Sequence, residues 1–287
     1  MNWIKKKLEK LKAKKRKPLV RKVIAVLEKV KNETLVNPSV FVQNQIDNPD
    51  KIPIIIINYN QLYYLKQLVD FLVKRDTKNI VIVDNLSTYP PLLAYYTEIS
   101  KLPNVTIEFQ LENLGHLVFW KNRALFNKYS KGFFVVTDAD IVPNVKLQKD
   151  YLKSMLNLLF KYNEFTKIGF ALAIDDLPDN YSLKENVLKW ESKFWELEMA
   201  PNVYQAEIDT TFALYWPATD RVVQDLYPSF FSAIRLAGDF TAKHGGWYTN
   251  NNNLTNEQLF YIKTANNSNS WKIDETGVLK GDFTNDY

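Results

Sequence analysis

The sequence predicts an α/β protein built on a largely parallel sheet flanked by helices, preceded by a basic helical arm. Three observations carry that prediction. Short β-branched runs alternate with longer stretches of helical periodicity, as strands joined by crossover helices do. The runs are apolar throughout, which suits strands buried on both faces. The charge is split: residues 1–31 hold thirteen Lys/Arg and two Glu, a net of +11, leaving −6 on the other 256 of the 287 residues. A hydrophobic content of 46% supplies a substantial core and excludes wholesale disorder.

The elements follow in chain order. In residues 1–17, Ile4, Leu8 and Leu11 share one helical face among lysines, with Trp3 at its edge, the pattern of a helix lying on an interface. After Pro18, Val20, Val23, Ile24, Leu27 and Val30 recur at helical spacing and suit packing on the body or a partner. Asn-Pro pairs at 37–38 and 48–49 bracket a polar linker, so the chain divides into an arm and linker (1–50), a first half (51–145) and a second half (146–287) of one domain.

IPIIII at 52–57 predicts the first strand, and Leu62, Leu65, Leu68, Val69 and Leu72 predict a helix over 62–74. NIVIV (79–83), a helix opening at Pro90, VTIEF (105–109), a helix over 116–130 and GFFVVTDAD (132–140) continue the alternation. GFALAI (169–174) and EIDTTFALYWP (207–217) read as later strands, and Thr255 with Gln258 forms a capping box that opens a last helix.

Composition removes several chemistries. With no cysteine there are no disulfides, no thiolate-ligated metals and no thiol nucleophile. His116 and His244 are the two histidines, so a metal site would rest mainly on carboxylates. Neither G-x-G-x-x-G nor G-x-x-x-x-G-K-[ST] occurs, which argues against an ordinary dinucleotide fold and a P-loop. No apolar run approaches eighteen residues and no signal-like segment opens the chain, so the expectation is a cytoplasmic protein without a membrane span. The arm favours an anionic membrane surface over nucleic acid, because it carries one aromatic and the body is acidic.

In an open α/β sheet, ligands sit beyond the carboxyl ends of the strands. Those ends are polar here: Asn58, Tyr59 and Asn60; Asp84, Asn85 and Ser87; Asn113 and Gly115; Asp138 and Asp140. Each alone reads as a turn, whereas four on one edge point to a site. With IPIIIINYNQLYYL, IVIVDNLST, ENLGHLVFWKNRAL and VVTDADIVP in that order over residues 52–143, the chain resembles nucleotide-sugar glycosyltransferases of the GT-A (Rossmann-like) fold, and is similar to the large inverting family 2.

The resemblance implies a nucleotide pocket of Asn58, Tyr59, Asn60, Asp84 and Asn85, with Asn113, Gly115, His116 and Lys121 beside the diphosphate; His116 reads equally as a helix cap. It implies Mn²⁺ or Mg²⁺ held by the hard oxygens of Asp138 and Asp140, with His244 as third ligand before Gly245-Gly246. An inverting reaction needs a carboxylate base. The Glu-Asp pair that the family pattern places after a later strand is missing, leaving Asp209, then Asp239, then Glu191 as candidates, with a retaining reaction still open. Asp175, Asp176, Trp216 and Trp247 are assigned to the donor sugar or the acceptor, and the Asn run at 250–253 to a loop over bound donor.

The implied activity is sugar transfer from a nucleotide diphosphate sugar, UDP-linked in the first instance, to a glycan or lipid-linked glycan in surface polysaccharide synthesis at the inner face of a membrane. The alternatives are a non-catalytic relative that binds sugar or nucleotide, a nucleic-acid-directed protein working through residues 1–31, and a nucleotidyltransferase. The last usually brings a glycine-rich basic triphosphate loop, which this sequence lacks.

Overall fold

The computed structural model describes residues 28–218, 233–250 and 252–265. The interfacial-helix reading of residues 1–17 and the reading of the last residues lie outside these. Chain order gives helix α1 (residues 28–36), α2 (Val40–Asp47), β1 (Ile54–Asn58), α3 (Tyr63–Lys74), β2 (Ile80–Asp84), α4 (Pro90–Ile99) and β3 (Val105–Phe109). Then come α5 (Val118–Lys121), α6 (Arg123–Tyr129), β4 (Phe134–Asp138), β5 (Ile141–Pro143), α7 (Tyr151–Lys161), β6 (Lys167–Phe170) and α8 (Lys184–Ser192). The rest are β7 (Glu198–Ala200), β8 (Val203–Gln205), β9 (Ala213–Tyr215), β10 (Ala233–Leu236), β11 (Ala242–His244) and α9 (Asn256–Thr264).

Among the described residues the main sheet has nine strands in the order β3-β2-β1-β4-β9-β6-β10-β8-β7. Strands β3, β2, β1 and β4 are parallel neighbours, as the alternation predicts, and β1 and β2 are buried at every position. Beyond β4 the pattern changes. β9 inserts antiparallel between β4 and β6, β10 pairs parallel with β6, and β8 and β7 finish the edge antiparallel. One hydrophobic core runs under both halves, from Ile54 and Leu68 through Phe134 and Met155 to Leu214 and Ile234.

Three local expectations are corrected. The segment between the Asn-Pro pairs is helix α2, not a linker: Ser39 caps it, and Gln45 hydrogen-bonds both the carbonyl and the amide of Phe133 at 3.0 and 2.8 Å. The helix expected over 116–130 breaks at Asn122, whose side chain accepts from the Leu125 amide and opens α6. The run to residue 140 ends as a main-sheet strand at Asp138. The chain then turns into β5, which pairs with β11 in a separate two-stranded sheet.

Candidate functional site

The strand ends converge on one edge, but many of their polar groups bond to one another. Asp84 accepts from the Tyr96 hydroxyl at 2.9 Å and the Ser87 amide at 3.0 Å, and Tyr96 in turn accepts from Asn58 at 2.8 Å. Burial and the Asp84 charge raise the Tyr96 phenol, so it stays a donor. Asn60, in left-handed conformation at φ 51°, accepts from the amides of Thr88 and Tyr89 and so fixes the turn after β2. Asn85 clamps the loop after β3, donating to the Gly115 carbonyl and accepting from the Leu114 amide.

These contacts locate the residues assigned to the nucleotide. Asp84, Asn58 and Asn85 are buried and tie the strand-end loops to one another. Asn113 accepts from the Gly115 amide, Lys121 donates to the Leu114 carbonyl at 2.7 Å, and His116 is exposed outside the cavity.

Helix α9 then covers the end of β1. The Tyr59 hydroxyl donates to the Thr264 carbonyl at 2.7 Å, Asn60 donates to the Thr264 hydroxyl, and Tyr89 meets Phe260 with ring centroids 5.1 Å apart. The Glu257 carboxylate accepts from the Leu62 and Tyr63 amides at the start of α3, where the helix presents free donors. The capping box read from Thr255 and Gln258 is present.

Between α3, the β11 turn and α9 lies a cavity of about 780 Å³. Its wall is aromatic, with Tyr63, Tyr64, Tyr89, Tyr181, Tyr248, Tyr261 and Trp247, and Asp140 and His244 lie among the lining residues. Pairing of β5 with β11 sets His244 opposite Ile141, and the Gly245 amide donates to the Asp140 carbonyl at 2.7 Å. The His244 ring stacks on Trp247 at 4.8 Å, with Nδ1 3.5 Å from Asp140 Oδ2 and buried without a hydrogen bond. Gly245 is required for this approach, because a Cβ there would stand 2.4 Å from the Tyr64 ring. Burial raises the Tyr64 phenol to about 12, helped by the Asp140 charge.

Asp138 lies at the end of β4, and the Thr210 hydroxyl donates to its Oδ2. Burial, then the neighbouring Asp140 charge, raises its carboxyl well above the usual range against that hydrogen bond, and the Asp209 charge adds to the shift. Among the described residues no group of three or more His, Asp or Glu side chains is disposed to hold a metal ion. Asp140 and the orphaned His244 Nδ1 form a hard-oxygen and imidazole pair that fits a divalent cation as two of its ligands. Asp138 is turned toward Thr210.

The structure separates the remaining candidates. Asp209 is exposed next to Thr210 and, like Asp239, lies outside the cavity lining; its charge reaches Asp138. Glu191 is overturned as a base: it is buried in an ion pair with Arg235 at 2.6 Å, and Arg235 also donates to the Glu207 carbonyl. Asp239 is exposed in the turn after β10 and lies outside the cavity lining. Trp216 is likewise corrected, being fully buried with its indole nitrogen donating to the Phe165 carbonyl at 3.0 Å.

Asp176 accepts from Lys243 and from the Tyr248 hydroxyl, which places Tyr248 on the cavity wall; against burial, these two donors hold its carboxyl below the usual range. Asp175 is exposed beside it. Sequence reasoning missed Tyr64, Tyr261 and Glu257. Tyrosine recurrence near the first strand end and the final helix was the available signal.

No protein-family model matches the chain, and comparison with curated proteins returns no match. Solved structures do align with it. A mannosyltransferase from Pyrobaculum calidifontis, in complex with GDP-mannose and Mn²⁺, aligns at 16% identity over 78% of this chain and 68% of its own, with a TM-score of 0.41. GalNAc-T7 with UDP, GalNAc and Mn²⁺ aligns at 11% identity over 68% of this chain, with a TM-score of 0.40; the aligned part is 43% of GalNAc-T7. A 4-diphosphocytidyl-2C-methyl-D-erythritol synthase from Anaerococcus prevotii aligns at 11% identity over 69% of this chain and 91% of its own, with a TM-score of 0.37.

Proposed function

We propose that this chain is a glycosyltransferase that moves a sugar from a nucleoside diphosphate donor, in the first instance UDP-linked, to a hydroxyl of a glycan acceptor. One observation carries the reading: the β5–β11 pairing sets His244 against Asp140 on the lining of an aromatic cavity at the carboxyl edge of the sheet. Residue types and place both suit a diphosphate sugar.

In this reading Asp140 and His244 would hold Mn²⁺ or Mg²⁺, with Asp138, turned toward Thr210, as the neighbouring carboxylate. The cation, when bound, supplies Lewis-acid stabilisation of the departing diphosphate. The chain's own residues do the rest. Trp247, Tyr248 and Tyr261 give flat faces for the pyranose and base and exclude water from the anomeric carbon. Asp209, exposed next to Thr210 and outside the cavity lining, is the carboxylate assigned to take the proton of the acceptor hydroxyl as that oxygen attacks the anomeric carbon and the bond to the diphosphate breaks.

The test is calorimetric titration of nucleoside diphosphates and nucleotide sugars with and without Mn²⁺, on the wild type, Asp140→Ala and His244→Ala. Metal-dependent binding of one nucleotide that drops at least tenfold in either variant supports the reading. Binding unchanged in both variants, or absent for every nucleotide, overturns it. Product analysis with the bound donor then distinguishes transfer to an acceptor from nucleotidyl transfer.

A further inference from the structure

The root of the basic arm lies on the opposite edge of the sheet from the cavity. Helix α2 is pinned by the two Gln45 bonds to Phe133, the residue before β4, while Asp138 ends that strand. At about 3.3 Å per residue, β4 separates the two edges by about 17 Å. In α1, Val30, Lys31 and Thr34 are buried, and the Glu164 charge, three residues before β6, bears on Lys31. The amino-terminal ends of two strands that run the same way therefore seat this root.

Where α1 passes into α2, four large apolar side chains within seven residues stand in solvent: Leu35 at 41%, Val36 at 83%, Val40 at 89% and Phe41 at 55% exposure. Elsewhere among the described residues the exposed large apolar side chains come singly or as pairs along the chain, such as Phe109 with Leu111. A cluster of this kind marks a surface that something covers. Its occupant is indicated by charge. The patch follows in sequence on residues 1–31 with their net +11, whereas the rest of the chain carries −6, so the attraction to an anionic surface is concentrated in the segment next to the patch along the chain. Apolar side chains flanked by a dense run of lysines match the two layers of an anionic bilayer, acyl boundary and headgroup.

We propose that residues 35–41 form a docking surface for an anionic lipid bilayer that holds the chain by the amino-terminal edge of its sheet, with the cavity turned toward water. On the glycosyltransferase reading this orientation also bears on the acceptor: a sugar attached directly to a lipid headgroup lies on the wrong side of the sheet, and the acceptor is the distal end of a long glycan or a soluble molecule. Docking does not depend on the glycosyltransferase reading, so the two fail separately.

The test uses the full chain and vesicle co-sedimentation on phosphatidylcholine alone and on phosphatidylcholine mixed with phosphatidylglycerol, at low and high salt. The expected result is binding to the anionic vesicles, weakened by salt, and on the order of tenfold weaker in Val36→Ser/Val40→Ser, which leaves the charge unchanged. Both positions are exposed, so the thermal unfolding of that variant should match the wild type. Equal binding by the variant would show that charge alone acts and overturn the role of the patch. Preference for nucleic acid over vesicles would overturn the choice of occupant.

Orientation is read separately with an environment-sensitive fluorophore, since the chain has no cysteine of its own. A label at Asn37→Cys should shift to the blue on anionic vesicles, whereas one at Asn252→Cys, exposed near the cavity, should not. The reverse pattern, or a shift at both, would sink the proposed orientation.

Discussion

At the scale of single residues, the motif positions and the packing positions behave differently. Asp138, Asp140 and His244 were legible as candidates because a strand-terminal Asp-x-Asp and a histidine before paired glycines are local patterns. Glu191 and Trp216 were not, because their environments come from Arg235 and Phe165, distant in sequence. Glu191→Ala leaves a buried guanidinium unpaired and should cost about 3–5 kcal/mol in urea unfolding, with turnover per folded molecule retained. A variant of normal stability with abolished turnover would return Glu191 to the chemistry. Gly245→Ala forces a methyl against the Tyr64 ring and should cost about 1–3 kcal/mol, relieved when Tyr64→Ala is added. Lys167 supplies the pH dependence. Its ammonium is fully buried, donating to the Ile208 carbonyl, and burial lowers its pKa from 10.5 to about 7. Between those values the unfolded chain binds the extra proton, so stability should rise with pH from about 7 to 9, by at most about 1.4 kcal/mol per unit. Below 7 both states are protonated and this slope vanishes. Chemical unfolding at stepped pH should show the slope in the wild type and a flatter line in Lys167→Met.

At the scale of elements, the alternation of β-branched runs with helical periodicity predicted β1 through β4 and their helices in order. That code is local: a strand buried on both faces shows it in four or five residues. The short strands β7, β8 and β11 were poorly legible, because three residues hold too little pattern to show a period, whereas β9 falls inside the run read as a strand at 207–217. Helix α9 was foreseen by its capping box, but its position across the end of β1 was not. Its seat depends on Glu257 finding the amides of α3, 195 residues away. Glu257→Ala should lower stability by roughly 1 kcal/mol by removing a carboxylate from a helix N-terminus. In hydrogen exchange, a nucleotide held in the cavity should slow exchange of residues 256–264 along with the turn after β11. Protection confined to the loops after β2 and β3 would mean that the ligand lies outside this cavity.

At the scale of the whole molecule, the position of β9 decides the organisation. It pairs on one side with β4 of the first half and on the other with β6 of the second, so the division at residue 145 crosses a continuous sheet and core. The chain should unfold in one cooperative transition by both circular dichroism and tryptophan fluorescence. Fragments 28–145 and 146–287 should be insoluble apart, and two separated transitions would contradict this. The sequence by itself determined the fold class, the four parallel strands, the charge division between arm and body, and the presence of carboxylates and a histidine at the places where a site would form. Each of these is a property of neighbours along the chain. The tertiary structure alone decided that Asp84 and Asn85 tie loops together, that His244 meets Asp140, that aromatic side chains from three distant segments enclose one cavity, and that the arm is rooted on the far edge. Those outcomes depend on which buried polar groups find partners, and partner choice among groups up to two hundred residues apart is settled by packing the whole sheet at once.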